Sequence, residues 1–353
     1  MSNLIARAQG LAALRQIRGP LEFTGPSATD DTPDAPVSVL AGRTALRGTR
    51  VAEVQGDTWR WLTASRGGTE PLRQELLDQA GLLFDAAPAV LAPRLHRSKD
   101  AKDSASRMVV ALHLDASGVP LRPALIEGLA TQPERGREEV RGIALLRDLP
   151  LVEAGNTLTL AQQPIYFDGD TALQVPAPGS PTLAQVYSDA AYLSAEHQFF
   201  FHSQHPAQQV RLDLASGTAE GMRARVLGIF HGDSFTWGWA DDQLPAAAQA
   251  PSRTLLAFGQ QHGIIPLVRP RIPLTQATRW DLAVIAKPIL GAWTHAVAGL
   301  APGVTALLLL EAPHLHLPPL STEVQREVIA QPLPDFADEQ RALRAYTTAR
   351  GAA

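Results

Sequence analysis

Apolar residues recur at helical spacing near the start of both halves of the chain. Over residues 3–17, Leu4, Ala8, Leu11 and Ile17 fall near one face, with Asn3 in the N-cap position. Over residues 182–196, Thr182 takes the cap and Leu183, Val186, Tyr187, Ala190 and Leu193 form the stripe. Each helix is followed by a short strand-like piece (21–23 and 199–201), a polar loop, and a run suited to a half-buried strand (37–40 and 210–214). Each half then reads strand, Gly-Asp turn, and a strand with tryptophan at alternate positions. Gly56-Asp57 precedes Trp59 and Trp61, and Gly232-Asp233 precedes Trp237 and Trp239. Gly-Asp between two β-prone runs is ordinary hairpin chemistry. Helical patterns follow at 71–81 and 252–262.

The same order at a shift of about 178 residues, with a small insertion at the second hairpin, predicts an internal duplication. The expected fold is α+β: two tandem divergent copies of an antiparallel sheet with helices packed on one face. Local hairpins, not βαβ crossovers, connect the predicted strands. The expected division is a degenerate N-terminal copy at 1–167, a turn-rich linker at 168–180 and a more faithful copy at 181–353. Past the hairpins the copies no longer align. The second half shows a helical stretch at 275–297 and an apolar strand at 304–310. The first half shows apolar runs at 108–114 and 143–146 around an Arg/Glu-rich segment, 134–141. A last helix is predicted at 337–349.

Composition narrows the function classes. Hydrophobic residues make up 45% and charged residues 19%, enough to build two cores and too apolar for global disorder. A formal charge of −4 argues against a dedicated nucleic-acid binder. The chain has no cysteine, which removes disulfides, thiolate metal sites and cysteine nucleophiles. Its basic residues are almost all arginine; the lysines are Lys99, Lys102 and Lys287. Arg7 and Arg15 interrupt the apolar positions at the start, and Lys287, Pro288, His295 and Pro302 break the most apolar stretch, 282–310. Neither a signal peptide nor a membrane span is expected, and the cytoplasm is the expected location.

The run Phe235-Thr236-Trp237-Gly238-Trp239-Ala240-Asp241, with Leu244-Pro245, Ser252-Arg253 and Phe258-Gly259 after it, resembles an uncharacterised bacterial family of unknown function. That family carries a strand ending Trp-x-Trp-Ala-Asn, then Leu-Pro, a helix and a glycine. The resemblance covers roughly residues 181–312, with Asp241 where the family has Asn, and the first half shares only Trp59 and Trp61. Relatives near bacterial toxin systems make an immunity-type role what the resemblance implies. From the residues themselves, two tryptophans two apart on a strand share a face. They are either core residues or a groove for a ligand or protein partner. In the second case Trp59, Trp61, Trp237 and Trp239 supply the area, with Asp241 and Asp242 at the rim.

Other chemistries are less complete. Gly232-Asp233-Ser234-Phe235 resembles the nucleophile block of GDSL-type hydrolases, which makes Ser234 the alternative catalytic residue. The companions are missing: the two asparagines, Asn3 and Asn156, lie upstream. His262, His295, His314 and His316 have Gly259, Ala292, Glu311 and Pro313 three residues before them, not aspartate. His202, His205, His314 and His316 lack tight metal-ligand spacing, so no metal and no cofactor is expected. Arg94, His96, Arg97, Lys99, Lys102 and Arg107, tempered by Asp100 and Asp103, read as a solvated loop or helix end. No glycine-rich phosphate loop is present. The expectation is therefore a non-enzymatic binding protein of immunity or stress type.

Overall fold

The structure, a computed structural model, describes residues 4–16, 21–24, 32–41, 44–73, 75–82, 89–93, 106–114, 119–205 and 210–351. Asn3, Ile17 and the basic segment 94–105 lie outside the described residues. The chain divides into two compact units. The first comprises Met1–Gln163 with Gly169–Thr171, and the second Pro164–Asp168 with Ala172–Ala353.

The first unit opens with α1 (Leu4–Gln16) and a run of antiparallel strands: β1 (Leu21–Thr24), β2 (Pro36–Ala41), β3 (Thr44–Gln55), β4 (Thr58–Trp61) and β5 (Thr69–Pro71). Then come α2 (Glu75–Leu82), β6 (Ala89–Pro93) and β7 (Ser106–His113), with β7 pairing back onto β3 and β6 outside β7. Helices α3 (Leu121–Thr131) and α4 (Gly136–Arg147) and the hairpin β8 (Leu151–Ala154) to β9 (Thr157–Leu160) complete it. Alternation along β7 serves two cores. Val109 and Ala111 meet Trp59, Trp61, Leu76 and Ala80, whereas Met108, Val110 and Leu112 meet Val37 and Val39.

The chain changes unit within the hairpin β10 (Gln163–Asp168) to β11 (Thr171–Gln174), so the segment expected as a linker carries a strand. The second unit then has α5 (Leu183–Gln204), β12 (Leu212–Asp213), β13 (Thr218–Ala219), β14 (Met222–His231) and β15 (Ser234–Trp237). Helices α6 (Ala246–His262) and α7 (Ile265–Val268) precede β16 (Arg271–Pro273). After α8 (Leu274–Trp280) and α9 (Leu282–Leu290) the chain returns through β17 (Thr294–Ala301) and β18 (Val304–Glu311), ending in α10 (Thr322–Ile329) and α11 (Glu339–Arg350). The sheet runs β12-β13-β14-β15-β16, with β18 pairing back onto β14 and β17 outside β18. That is the strand order of the first unit.

Register sharpens the parallel. In β3 the pairing with β7 slips between Arg50 and Ala52; in β14 the pairing with β18 slips between Val226 and Gly228. A bulge thus sits at the same station in each sheet. Ala52 pairs with Trp61, and Gly228 pairs with Trp237. The residue two before each tryptophan is Trp59 in one and Phe235 in the other. Both ring pairs are T-shaped, with centroids 5.1 and 4.9 Å apart. Trp237 is therefore level with Trp61, not with Trp59, and no insertion separates the hairpins. Trp239 falls beyond the strand, in a 3₁₀ turn.

Several local expectations change for identifiable reasons. Residues 199–201 are the last turns of α5, where a complete Thr182/Gln185 capping box starts 22 unbroken helical residues. The stretch 275–297 splits because Asp281 takes a left-handed conformation between α8 and α9, and Gly291 ends α9 the same way. Residues 294–297 are strand, and the run 143–146 belongs to α4. The final helix forms as α11, with Asp338 accepting from the Arg341 N–H as N-cap.

The main core of the second unit lies between the sheet and a helical layer. Phe235, Trp237, Ile272, Leu307 and Leu309 meet Val186, Ala190, Leu255, Leu267, Ile285 and Ala286. A smaller core on the other sheet face joins Ala306, Leu308 and Leu310 to Phe201, Leu244 and Leu315.

Candidate functional site

The tryptophan strands are interior. Trp59 and Trp237 are fully buried and Trp61 is nearly so. Trp237 Nε1 donates to the Pro266 carbonyl at 2.9 Å. Trp61 Nε1 donates to Glu70 at 2.6 Å, and the Arg66 guanidinium lies 4.4 Å from its ring centroid. That indole hydrogen bond is the main cause holding the Glu70 carboxyl below its ordinary range. Trp239 is half-buried, and its Nε1 has no partner among the described residues. Asp241 is half-buried, accepts from the Gln243 N–H at 2.9 Å and organises the loop before α6; Asp242 is exposed. Ser234 is the first strand residue after the turn, and its hydroxyl donates back to the His231 carbonyl at 3.2 Å.

Gln249, and Ser252 and Gly259 from the residues of the family resemblance, hold the frame. Gln249 Nε2 bonds the carbonyls of Asp241 and Leu244 at 3.0 Å each, fixing the entry to α6. Ser252 is fully buried against Gly238, and a Cβ on Gly259 would sit 2.7 Å from Leu267 Cβ, so glycine lets α6 and α7 touch.

Polar chemistry gathers elsewhere in the second unit. A partly open pocket of about 160 Å³ lies among α5, α9, the start of β17 and the segment after α10. Its polar wall is Tyr187, Ser194, Gln198, Asp281 and His295, and Gln331 and Pro332 form an exposed lip. Gln198 holds one wall by bonding both ways with the His295 backbone, at 2.8 and 3.2 Å.

Behind Ser194 stands Lys287, fully buried, whose Nζ donates to Ser194 Oγ at 2.6 Å. Among the described residues it has no other hydrogen-bond partner and no carboxylate within ion-pair reach. Burial therefore pushes the ammonium down to about 7, partly offset by the more distant Asp281. Asp281 itself is raised by burial, against the pull of Lys287 and of backbone N–H groups at the start of α9. His295 is held well below its ordinary value by burial, then by Lys287 and His202, so its imidazole is neutral. Its Nδ1 has no partner among the described residues. His197, stacked on Trp293, is lowered to about 4 by burial and then by Lys287.

Arg225 keeps α9 in place. It makes a two-point bond to Glu311 at 3.0 and 2.8 Å and donates to the Leu290 carbonyl at 2.7 Å, at the end of α9. The equivalent place in the first unit is taken by α2, whose sequence has no lysine. His205 and His314 approach with ring centroids 6.0 Å apart, and no group of three or more potential ligands suited to a metal occurs among the described residues. No described helix is long and apolar enough to cross a membrane.

The stretch that supplies α5, α9 and β17 is also the stretch that known proteins share. Residues 184–313 match a family of unknown function, DUF6882. The DUF6882 segment spans most of the pocket wall and stops short of its lip at 331–333. No curated protein and no solved structure matches the chain.

Sequence reasoning missed Ser194, Lys287, Asp281 and His295 as a group. A signal was present: one of three lysines, in a chain with 31 basic residues, interrupts an apolar helix.

Proposed function

We propose that the second unit is a small-molecule-binding module and that its site is the pocket among α5, α9 and β17. The supporting observation is poorly partnered polar chemistry in an otherwise apolar core: His295, a residue of the pocket wall, has a buried Nδ1 without a partner among the described residues, and Lys287 rests on the single hydroxyl of Ser194. Orphaned buried polar groups cost about 1–3 kcal/mol each, a cost that a bound ligand offsets. Size limits the ligand. A cavity of about 150 Å³ holds one benzene, so the occupant is compact and carries hydrogen-bonding groups; a nucleotide or peptide is too large.

This keeps a binding role and moves its place from the tryptophan strands, whose indoles are interior, to the pocket. An immunity or stress factor working through those strands would lack the surface it needs. A cytoplasmic location goes with the same reading.

The test is a screen of roughly benzene-sized fragments, about six to ten non-hydrogen atoms, by thermal shift and ligand-observed NMR, repeated on Ala195→Leu, which fills the pocket from its wall. Single-site binding to the parent protein, lost in the variant, is the expected outcome. Binding that survives the substitution would place the site elsewhere.

A further inference from the structure

Ser194 behaves unlike other hydroxyl residues within the helices. Serine and threonine inside a helix commonly bond the carbonyl one turn back. Ser188 does so with Ala184 in the same α5, and Thr131, Thr254 and Thr347 do so with Glu127, Ala250 and Leu343. Ser194 instead meets Lys287 across the helix interface, at 2.6 Å, and is itself a residue of the pocket lining. The pocket, the hydroxyl and the amine therefore stand in series.

We propose that Ser194 is a nucleophile and Lys287 its general base, acting on short acyl compounds, small esters foremost, that fit the pocket among α5, α9 and β17. The inference rests on that pocket being a ligand site.

The chemistry requires lysine. A general base must release and take up a proton near neutral pH, which an arginine in this arginine-rich chain does not do. The Ser194 Oγ–H proton passes to Lys287 Nζ as Oγ forms a bond to the acyl carbon. The bond from that carbon to the alkoxy oxygen breaks, and the leaving alcohol takes the proton from Lys287. Water then attacks the acyl-serine, giving its proton to Lys287; the carbon–Oγ bond breaks, Oγ recovers the proton, and a carboxylic acid leaves.

Burial, and after it Asp281 at the head of α9, set the proton affinity of Lys287; the groups that face it are Ser194, its hydrogen-bond partner on α5, and His197 on α5 and His295 on β17, both of which its charge lowers.

The experiment treats the full chain with methanesulfonyl fluoride, which is smaller than the pocket, and follows intact mass and peptide maps. Sulfur–fluorine cleavage leaves a methanesulfonyl ester on the attacking oxygen. The expected result is one adduct on Ser194, absent in Ser194→Ala, with a rate that rises as pH passes through about 7. Lys287→Met, confirmed folded by its melting transition, should slow labelling at least about 100-fold, the usual scale of general-base catalysis. An unmodified Ser194, an adduct on Lys287, or equal labelling of the Lys287→Met variant would overturn the proposal. If inert fragments still bind while Ser194 stays unmodified, the dyad fails and the binding site stands. If the protein neither binds nor labels, both fail.

Discussion

Trp237 stands directly opposite Gly228 across the β14–β15 hairpin, one residue after the bulge in β14. The equivalent pair in the first unit is Trp61 and Ala52, so one sheet tolerates a methyl group at this station. The other does not: a Cβ on Gly228 would overlap the Thr236 carbonyl oxygen and the Phe235 ring. We expect Gly228→Ala to destabilise the second unit by about 1–3 kcal/mol, the usual cost of overpacking, measured as a lower urea midpoint for that unit's transition. An unchanged midpoint would mean that the hairpin shifts freely there.

The two units share strand order, bulge station and a T-shaped ring pair. Much of this was legible in the sequence, because hairpins are local: Gly56-Asp57 and Gly232-Asp233 announce their turns, and strand alternation announces the buried rings. Matching by residue type sets Trp59 against Trp237, because the bulge that fixes the register leaves no mark in composition. The pocket was illegible for a different reason. Ser194 and Lys287 lie 93 residues apart, and only the packing of α5 on α9 brings them together.

Lys287 should cost stability. Replacing a buried, poorly paired charge by an apolar residue of similar length is often stabilising, by about 1–4 kcal/mol, and in Lys287→Met the freed Ser194 can bond the Ala190 carbonyl one turn back. The expected outcome is a raised melting temperature together with lost labelling of Ser194. A lowered melting temperature would assign Lys287 to structure.

The same group fixes a pH dependence. Its folded-state value, about 7, is below the ordinary lysine value. Between the two, the unfolded chain binds the extra proton, so stability rises with pH from about 7 to about 10, by at most about 1.4 kcal/mol per pH unit. Urea titrations at pH 7, 8 and 9 should show this slope in the parent protein and its loss in Lys287→Met. Equal slopes would count against an uncharged amine.

Arg225 bears on the site through α9. Arg225→Ala leaves Glu311 half-buried without its two-point partner and the Leu290 carbonyl uncapped. We expect a loss of about 2–3 kcal/mol, with weaker fragment binding than the stability loss alone explains. Calorimetric titration of a pocket fragment checks this; unchanged affinity would separate Arg225 from the site.

The most direct measurement follows from composition. With three lysines in the chain, selective labelling gives three side-chain signals by NMR, and Lys287→Met identifies the one of interest. An uncharged, buried amine behind Ser194 requires that signal to titrate near 7. A Lys287 signal that keeps the ordinary lysine value, about 10.4, would contradict it.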